Sequence, residues 1–271
     1  MDRGTLKKVQ AELLDIALEV RRVCTENDIP YFLCAGSMLG AVRHQGFIPW
    51  DDDLDLGMLR ENYEKFCRIA PQKLGPDYCF QDWHTDPDYP LPFGKVRKRN
   101  TLYLEGKLAR LLENGFYVDI FPYDVLPQDQ EARQRLRRQL LHIYRIKLMK
   151  SRARPWMENG SLLLKKRLGY LYYQALALFT SQEALIRRYD RTLAQAAEAG
   201  EYRMGDLCDV SDCHRGKILQ SLSEYAFEGH PFTGPADADT YLSTLYGDYM
   251  TPPPEDQREN RHQIVEIQFS K

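Results

Sequence analysis

Residues 36–57 read GSMLGAVRHQGFIPWDDDLDLG, and this stretch does most to decide the fold. It opens with Gly36-Ser37 after an apolar run, and it closes with Asp53 and Asp55 alternating with leucines. Successive side chains of a β-strand point to opposite faces, so both aspartates are predicted on one face. Close carboxylates repel unless a cation neutralises them, and their oxygens suit Mg²⁺ or Mn²⁺. The stretch therefore predicts a metal-binding strand.

The Gly36-Ser37 pair is predicted to form a turn between a strand over Tyr31–Ala35 and a short helix over Met38–His44. Glycine lets the backbone approach a phosphate closely, and peptide N–H groups of such a turn can donate to it. A phosphate-binding turn beside a metal-binding strand suits transfer at a phosphorus centre. We therefore expect a phosphotransfer enzyme.

A third carboxylate, Asp119, lies in the strand-like segment Tyr117–Phe121. A charge among apolar neighbours is costly to bury unless it meets a metal or another partner. We expect Asp119 to complete the metal site; the alternative is an aspartate on an edge strand that faces water.

A calcium loop is the rival interpretation of the acidic run that begins at Asp51. Such a loop needs acidic residues at positions 1, 3 and 5, glycine at 6 and glutamate at 12. Counting from Asp51, position 6 is Leu56 and position 12 is Asn62. The loop fails at both diagnostic positions. A solvated acidic turn would account for Asp51 and Asp52, but not for the apolar partners of the later aspartates.

The composition excludes several classes of protein. The chain has 271 residues, 43% of them hydrophobic, and a net charge of -2, so neither general disorder nor nucleic-acid binding is expected. No apolar run reaches the length of a membrane span, and the N-terminus is typical of an amphipathic helix, not of a signal peptide. The six cysteines contain no CxxC pair, and Cys208 and Cys213 with His214 make a poor zinc signature. A reducing, cytoplasmic setting fits best.

Helical and strand-like patterns divide the chain unevenly. Mixed helices and strands in the first half predict an α/β or α+β core, beginning with a helix over residues 5–27. From 128 to about 199 the pattern is helical. The tail from Tyr241 contains three consecutive prolines, which predict a turn or a rigid arm and no helix.

The helical region is strongly basic. It could lie on an anionic membrane surface or meet a polyphosphate-bearing acceptor; the alternative is a solvated helical face that packs through leucine and tyrosine. Its basic residues are Arg133, Arg135, Arg137, Arg138, Arg145, Lys147, Lys150, Arg152, Arg154, Lys165, Lys166 and Arg167.

Three segments together resemble the LicD family, whose domain is a variant of the nucleotidyltransferase fold. They read GSMLGAVRHQGFIPWDDDLDLGM, NGFYVDIFPYD and LYGDYMTPPPEDQR, and they occur in the order found in that family. The resemblance implies one LicD-like domain over 1–271 of the α+β class, a nucleotidyltransferase-like mixed sheet core with flanking helices. The core would comprise about 27–127 plus 200–262, and about 128–199 would be a helical, basic region.

The resemblance also implies an activity. LicD-like proteins are associated with transfer of phosphocholine from CDP-choline to glycans, and fukutin-related proteins with transfer of ribitol phosphate from CDP-ribitol. A CDP-alcohol donor and a glycan or lipid-linked glycan acceptor, such as a precursor of lipopolysaccharide or teichoic acid, are therefore expected. The protein would act in the cytoplasm, with a peripheral contact to the inner face of the membrane as a further expectation. Nucleotidyl transfer from an NTP to a small molecule and a non-catalytic metal- or glycan-binding module remain alternatives.

Within this framework each candidate site residue has a predicted role. Asp53, Asp55 and Asp119 would be the catalytic and Mg²⁺-binding residues, with Mn²⁺ as the other suitable ion. A trimethylammonium group would need an aromatic face, because it cannot donate a conventional hydrogen bond. The predicted substrate-binding residues are Gly36 and Ser37 at the diphosphate, Arg43, Lys95 and Arg97 at the leaving group, and Trp50 at the head group.

Overall fold

A computed structural model gives the fold of most of the chain. It describes residues 1–105, 113–151, 164–197, 203–205, 214–215, 218–259, 262 and 264–270. Helices and a mixed sheet combine as expected for the α+β class, so that prediction is confirmed. The helices are α1 (Arg3–Glu26), α2 (Ala35–His44), α3 (Arg60–Lys73), α4 (Gln130–Lys150), α5 (Leu164–Leu178), α6 (Gln182–Ala197) and α7 (Ala238–Tyr246).

The strands are β1 (Phe32–Leu33), β2 (Asp55–Leu59), β3 (Tyr78–Gln81), β4 (Gly94–Lys98), β5 (Leu102–Glu105), β6 (Tyr117–Leu126), β7 (Arg203–Gly205), β8 (His214–Arg215), β9 (Leu222–Phe227), β10 (His230–Pro235) and β11 (Ile264–Gln268). Five strands of the first half form the central sheet in the order β1-β2-β6-β4-β3. β2 and β6 run parallel, whereas the other neighbours in this order are antiparallel. β7 pairs with the end of β6 and with β8, while β9–β10 and β5–β11 form separate two-stranded sheets.

The main hydrophobic core lies between α1 and this sheet. Asp2 caps α1 by accepting hydrogen bonds from the backbone N–H groups of Gly4 and Thr5. The helix buries an apolar stripe, at helical spacing, against the sheet. From β2 the core receives Leu56, and from the segment before it Leu54, both almost fully buried. The leucines that alternate with the aspartates therefore anchor the acidic segment.

The predicted helical region contains α4, α5 and α6, which build a second hydrophobic cluster. Its buried members from the sheet side are Trp83, Tyr89 and Leu126. Lys147 of α4 is fully buried, and its Nζ donates to the carbonyls of Pro87 and Tyr89 at 2.9 and 2.8 Å. A lysine thus ties the helical region to the loop before β4.

The structure corrects the predicted start of α2. Gly36 and Ser37 do not form a turn; they lie in the first turn of the helix, which begins at Ala35. Tyr241 of α7 supplies the reason, because its hydroxyl accepts a hydrogen bond from the Ala35 N–H at 3.1 Å. That cap comes from 206 positions along the chain, so no local signal announces it.

The predicted absence of helix from Tyr241 onward is wrong. Residues Ala238–Tyr246 form α7, capped by Asp237, whose side chain accepts a hydrogen bond from the Thr240 N–H at 3.1 Å. The prolines constrain only the chain beyond this helix, where Glu255–Gln257 form a 3₁₀ turn. Burial of Tyr241 and Leu242 favours the helix.

The described cysteines, which are Cys24, Cys34, Cys67 and Cys79, form no disulfide bonds. Cys208 and Cys213 lie outside the described residues, as do Arg152 and Arg154 of the basic region. None of the described helices is both long and apolar enough to cross a bilayer.

Candidate active site

Two carboxylates lie side by side at the centre of the sheet. Asp55 of β2 and Asp119 of β6 are register partners on adjacent parallel strands. Asp53 does not belong to β2, which begins at Asp55; it precedes the strand by two residues. Parallel pairing places both register partners on the same face of the sheet, because their side chains have the same pleat. The sheet therefore brings together two of the three aspartates, and Asp53 approaches from the preceding segment.

Lys95 occupies the next strand in the same row. It is the register partner of Asp119 across β4 and β6, and its Nζ lies 2.5 Å from Asp119 Oδ1. The Nζ also lies 3.4 Å from the centroid of the Tyr117 ring, and the residue is 2% exposed. A buried ammonium paired with a carboxylate and covered by a ring is held in a fixed position. Asp55, Asp119 and Lys95 thus form a charged row across three strands.

The row carries more negative charge than it neutralises. Burial raises the pKa of Asp55 well above its ordinary value, and the charges of Asp53 and Asp119 raise it further. Burial also raises the pKa of Asp119, while Lys95 acts in the opposite direction. Both shifts, caused first by burial, disfavour the ionised carboxylates unless further positive charge lies beside them. A divalent cation would supply it, and the hard oxygen donors suit Mg²⁺ or Mn²⁺.

The side-chain positions define how such an ion would be held. Within the part of the chain that the structure describes, no three His, Cys, Asp or Glu side chains converge on a possible metal position. Mg²⁺ usually binds one or two carboxylates and keeps water or phosphate oxygens as its other ligands. The carboxylate oxygens therefore fit a metal ion that is shared with a substrate phosphate. Asp119 would have to give up its contact with Lys95 to become a ligand of that ion.

The first turn of α2 borders the acidic segment. A Cβ placed on Gly36 would lie 3.0 Å from Asp51 Oδ2, so a side chain there would crowd this segment. The Asp55 N–H donates to Ser37 Oγ at 2.8 Å, which ties the helix start to β2. Early N–H groups of a helix lack intrahelical acceptors and favour anions. Gly36 and Ser37 are thus placed beside the carboxylates, although in a helix start instead of a turn.

Arg43 and Arg97 are engaged in other contacts. Arg43 lies in the last turn of α2, and its Nη1 donates to the Tyr249 carbonyl at 2.7 Å. Arg97 shares a strand face with Lys95, as predicted, because both cations lie over the Tyr117 ring. Its guanidinium is buried and donates to Gln81 Oε1 at 2.5 Å and to the Gly115 carbonyl at 2.9 Å. In this structure both arginines donate hydrogen bonds to acceptors within the protein.

Trp50 already receives a cation. The Arg258 guanidinium carbon lies 5.3 Å from the centroid of its ring, and the His44 ring packs edge-on at 6.3 Å. Arg258 is anchored in turn, since its Nε donates to the Pro253 carbonyl at 2.8 Å. The Trp50 face is therefore competent for cation–π contact.

Sequence reasoning missed a second cation at the acidic segment. His262 Nδ1 lies 3.0 Å from Asp52 Oδ1, and its Nε2 lies 3.9 Å from Asp53 Oδ2. The hydrogen bond with Asp52 raises the pKa of His262 to about 9, although burial opposes it. Asp52 is 1% exposed and its carbonyl also accepts a hydrogen bond from the Tyr103 hydroxyl. Asp52 is thus a buried anchor of the segment, not part of a solvated turn.

Comparison with known proteins points to one family. Residues 28–139 match the model described as LicD/FKTN/FKRP, nucleotidyltransferase domain. This segment includes α2, the three aspartates and Lys95, so the match covers the whole charged row.

Three relatives are similar to this chain, one over almost its whole length and two over shorter segments. Lipopolysaccharide cholinephosphotransferase LicD of Haemophilus influenzae is 26% identical over 268 residues, which are 97% of each chain. Ribitol-5-phosphate transferase FKTN of Mus musculus is 28% identical over 121 residues, 45% of this chain and 22% of the relative. An uncharacterized protein of Rickettsia typhi is 42% identical over 66 residues, 24% of this chain and 21% of the relative.

Proposed function

We propose that this chain, which carries a LicD-family domain at residues 28–139, moves a phospho-alcohol group from a CDP-linked donor to a hydroxyl of a glycan. Asp55 and Asp119, adjacent in register on parallel strands, are the observation that carries the proposal. The similarity over 97% of both chains to a cholinephosphotransferase favours phosphocholine as the group and CDP-choline as the donor.

The charged row, together with Asp53, would bind the donor diphosphate through Mg²⁺. Asp53 and Asp55 would hold the ion, which when bound supplies positive charge to the phosphate oxygens. Gly36 and Ser37 would present the N–H groups of the α2 start to the same diphosphate, where the helix dipole favours negative charge. Lys95, already buried in the row, would compensate for the charge that grows on the departing CMP.

Asp119 would act on the acceptor. The sugar hydroxyl oxygen forms the new bond to the donor's terminal phosphorus while the bond from that phosphorus to CMP breaks. The hydroxyl proton passes to the Asp119 carboxylate, whose raised pKa makes it a better base than an ordinary aspartate. A phosphodiester and CMP result. Arg97 would support the sheet instead of contacting the donor, because its guanidinium is buried with two acceptors.

The choline head group would use the face of Trp50. The Arg258 guanidinium lies over this ring, and the trimethylammonium group of choline could take its place there. The acceptor would be a glycan or a lipid-linked glycan of a surface polymer, modified in the cytoplasm where nucleotide-activated donors are made. Arg43 would act indirectly, by fixing the Tyr249 carbonyl in the segment that directly follows α7.

Thermal unfolding with a panel of donors tests the proposal. CDP-choline, CDP-ethanolamine, CDP-glycerol, CDP-ribitol, CTP and ATP would each be added with Mg²⁺ to wild type and to Asp55→Asn. A ligand at a hundredfold excess over its Kd stabilises the folded state by about 2.7 kcal/mol. We expect a shift with CDP-choline that is lost without Mg²⁺ and in Asp55→Asn. Asp77→Asn, which replaces an exposed carboxylate just before β3, is the matched control and should keep the shift.

Product analysis separates the alternatives. Phosphocholine transfer releases CMP from CDP-choline in the presence of a saccharide acceptor, whereas nucleotidyl transfer releases pyrophosphate from an NTP. Stabilisation by ATP or CTP alone, with release of pyrophosphate, would contradict the proposal. A non-catalytic module would give no product with any donor.

A further inference from the structure

Helix α5 is apolar on two opposite sides. One side, with Tyr173, Leu176 and Ala177, packs into the second hydrophobic cluster against α4. The other side and the residue that follows the helix expose large apolar side chains at helical spacing. We call these the α5 outer stripe: Leu168, Leu171, Tyr172, Leu178 and Phe179, which are 60%, 58%, 54%, 78% and 89% exposed.

Such a stripe is unusual on a water-facing helix. A helix that is hydrophobic all round is normally buried, and a contiguous exposed apolar surface marks a site of interaction. Most of the large apolar side chains exposed in the described part of the chain belong to this one stripe. The stripe therefore calls for a partner.

A basic cavity lies beside the α5 outer stripe. It has a volume of about 650 Å³ between α4 and α6, and we define it by Arg135, Arg138, His142 and Arg188 in its lining. The His142 ring lies 6.3 Å from the Tyr172 ring of the outer stripe and 5.5 Å from the Tyr173 ring of the packed side. His142 thus joins the two features, and they form one continuous surface.

Positive charge dominates the rest of this surface. The exposed carboxylates described on α4 and α6 are Glu131, Glu183 and Asp190. The exposed arginines described on the same helices are Arg135, Arg137, Arg138, Arg145, Arg187, Arg188 and Arg191. Stacking this face on a second copy would bring the arginines of both copies together, and like charges repel. The charge favours an anionic partner instead.

We propose that the α5 outer stripe and the basic cavity dock the protein on the surface of an anionic lipid bilayer. Leucine, tyrosine and phenylalanine would enter the boundary between headgroups and acyl chains, as in an interfacial amphipathic helix. The arginines of the cavity would meet lipid phosphates, each strengthening binding about fivefold near an anionic surface. The proposal does not rest on the proposed function, because binding to vesicles needs neither donor nor acceptor.

Co-sedimentation of the full chain with vesicles tests this surface. Vesicles of phosphatidylglycerol and phosphatidylcholine are compared with phosphatidylcholine alone, at low and high salt. We expect binding to the anionic vesicles only, weakened by salt because the charges are screened. Leu178→Ser with Phe179→Ser, and separately Arg138→Gln with Arg188→Gln, should each weaken binding about tenfold or more.

Two matched controls keep the test specific. Met250→Ser with Val265→Ser removes two exposed apolar side chains elsewhere, and Lys7→Gln with Lys8→Gln removes two exposed charges from α1. Both should bind like wild type. All four substituted pairs are exposed, so folding should be preserved, which the melting temperature verifies.

Insertion is measured directly with Phe179→Trp. Brominated acyl chains in anionic vesicles should quench the added tryptophan fluorescence beyond the quenching seen in wild type. Equal binding by all variants, or absence of the added quenching, would overturn the proposal. So would a vesicle-independent dimer, seen by light scattering, that Leu178→Ser with Phe179→Ser dissociates, because the stripe would then be an interface between copies.

Discussion

Lys95 and Asp119 face each other across β4 and β6, with 2.5 Å between Nζ and Oδ1 in the sheet interior. Asp55 stands beside Asp119 on the other neighbouring strand, so one carboxylate has a buried lysine on one side and a second carboxylate on the other. Replacing either partner of such a pair leaves an uncompensated charge in low dielectric. The stability of this sheet and its capacity for a cation are therefore linked.

Lys95→Met should destabilise the protein by about 3–5 kcal/mol, because Asp119 loses its buried partner. Mg²⁺ should restore part of this loss, since the carboxylate becomes free to bind the ion. Urea unfolding with and without Mg²⁺ measures both effects. Lys98→Met, on the same strand but paired with Glu12 and Asp15 nearer the surface, is the control. Lys98→Met should lower the free energy of unfolding by less than Lys95→Met does. Mg²⁺ should stabilise Lys98→Met no more than it stabilises wild type.

Asp55→Asn should raise the metal-free stability while abolishing stabilisation by Mg²⁺. Repulsion from Asp53 and Asp119 disfavours the charged form of Asp55, and the amide removes it. The hydrogen bond to Ser37 is retained, because it uses the backbone N–H. Calorimetry with and without Mg²⁺ gives both numbers. Equal stabilisation of wild type and Asp55→Asn by Mg²⁺ would place the ion elsewhere.

Local patterns predicted the carboxylates but not their partners. Asp55 and Asp119 stand out because each interrupts an apolar strand, and the structure places them side by side. The sequence predicts Lys95 as a substrate-binding residue, and only the pairing of β4 with β6 reveals its contact with Asp119. His262 meets Asp52 from 210 positions away, a contact that no periodicity encodes. The start of α2 is also not encoded locally, because the residue that caps it, Tyr241, belongs to α7.

Arg60→Lys should destabilise the protein by about 1–2 kcal/mol, although the charge is kept. Arg60 Nε and Nη2 donate to the two oxygens of Asp124 at 2.7 and 2.6 Å, which joins the start of α3 to β6. An ammonium cannot reproduce this paired geometry. Arg68→Lys, further along α3, is the control for the same chemical change. If the unfolding free energies of the two variants do not differ, the paired hydrogen bonds from Arg60 to Asp124 contribute nothing beyond the charge.

Trp50→Leu should weaken binding of CDP-choline about tenfold if the head group uses its face, and leave CDP-glycerol binding nearly unchanged. Arg258→Gln should not weaken CDP-choline, because it removes the cation that now covers the ring. Isothermal titration with both donors provides the comparison. An equal loss of affinity for both donors in Trp50→Leu would assign Trp50 a structural role only.

Lys147 should make stability rise with pH above the physiological range. Burial lowers the pKa of its ammonium to about 8 in the folded protein, from an ordinary value of 10.5. Between these two values the unfolded chain binds more protons than the folded one, so the unfolding free energy increases with pH. Below about pH 8 both states are protonated and the destabilising effect is fully present.

Lys147→Met removes this titration, while it also removes the hydrogen bonds to Pro87 and Tyr89. The difference in unfolding free energy between wild type and Lys147→Met should therefore grow in favour of wild type from pH 8 to 10.5. Urea titrations across this range measure it, and a difference that stays constant would show that Lys147 keeps its ordinary pKa in the folded state.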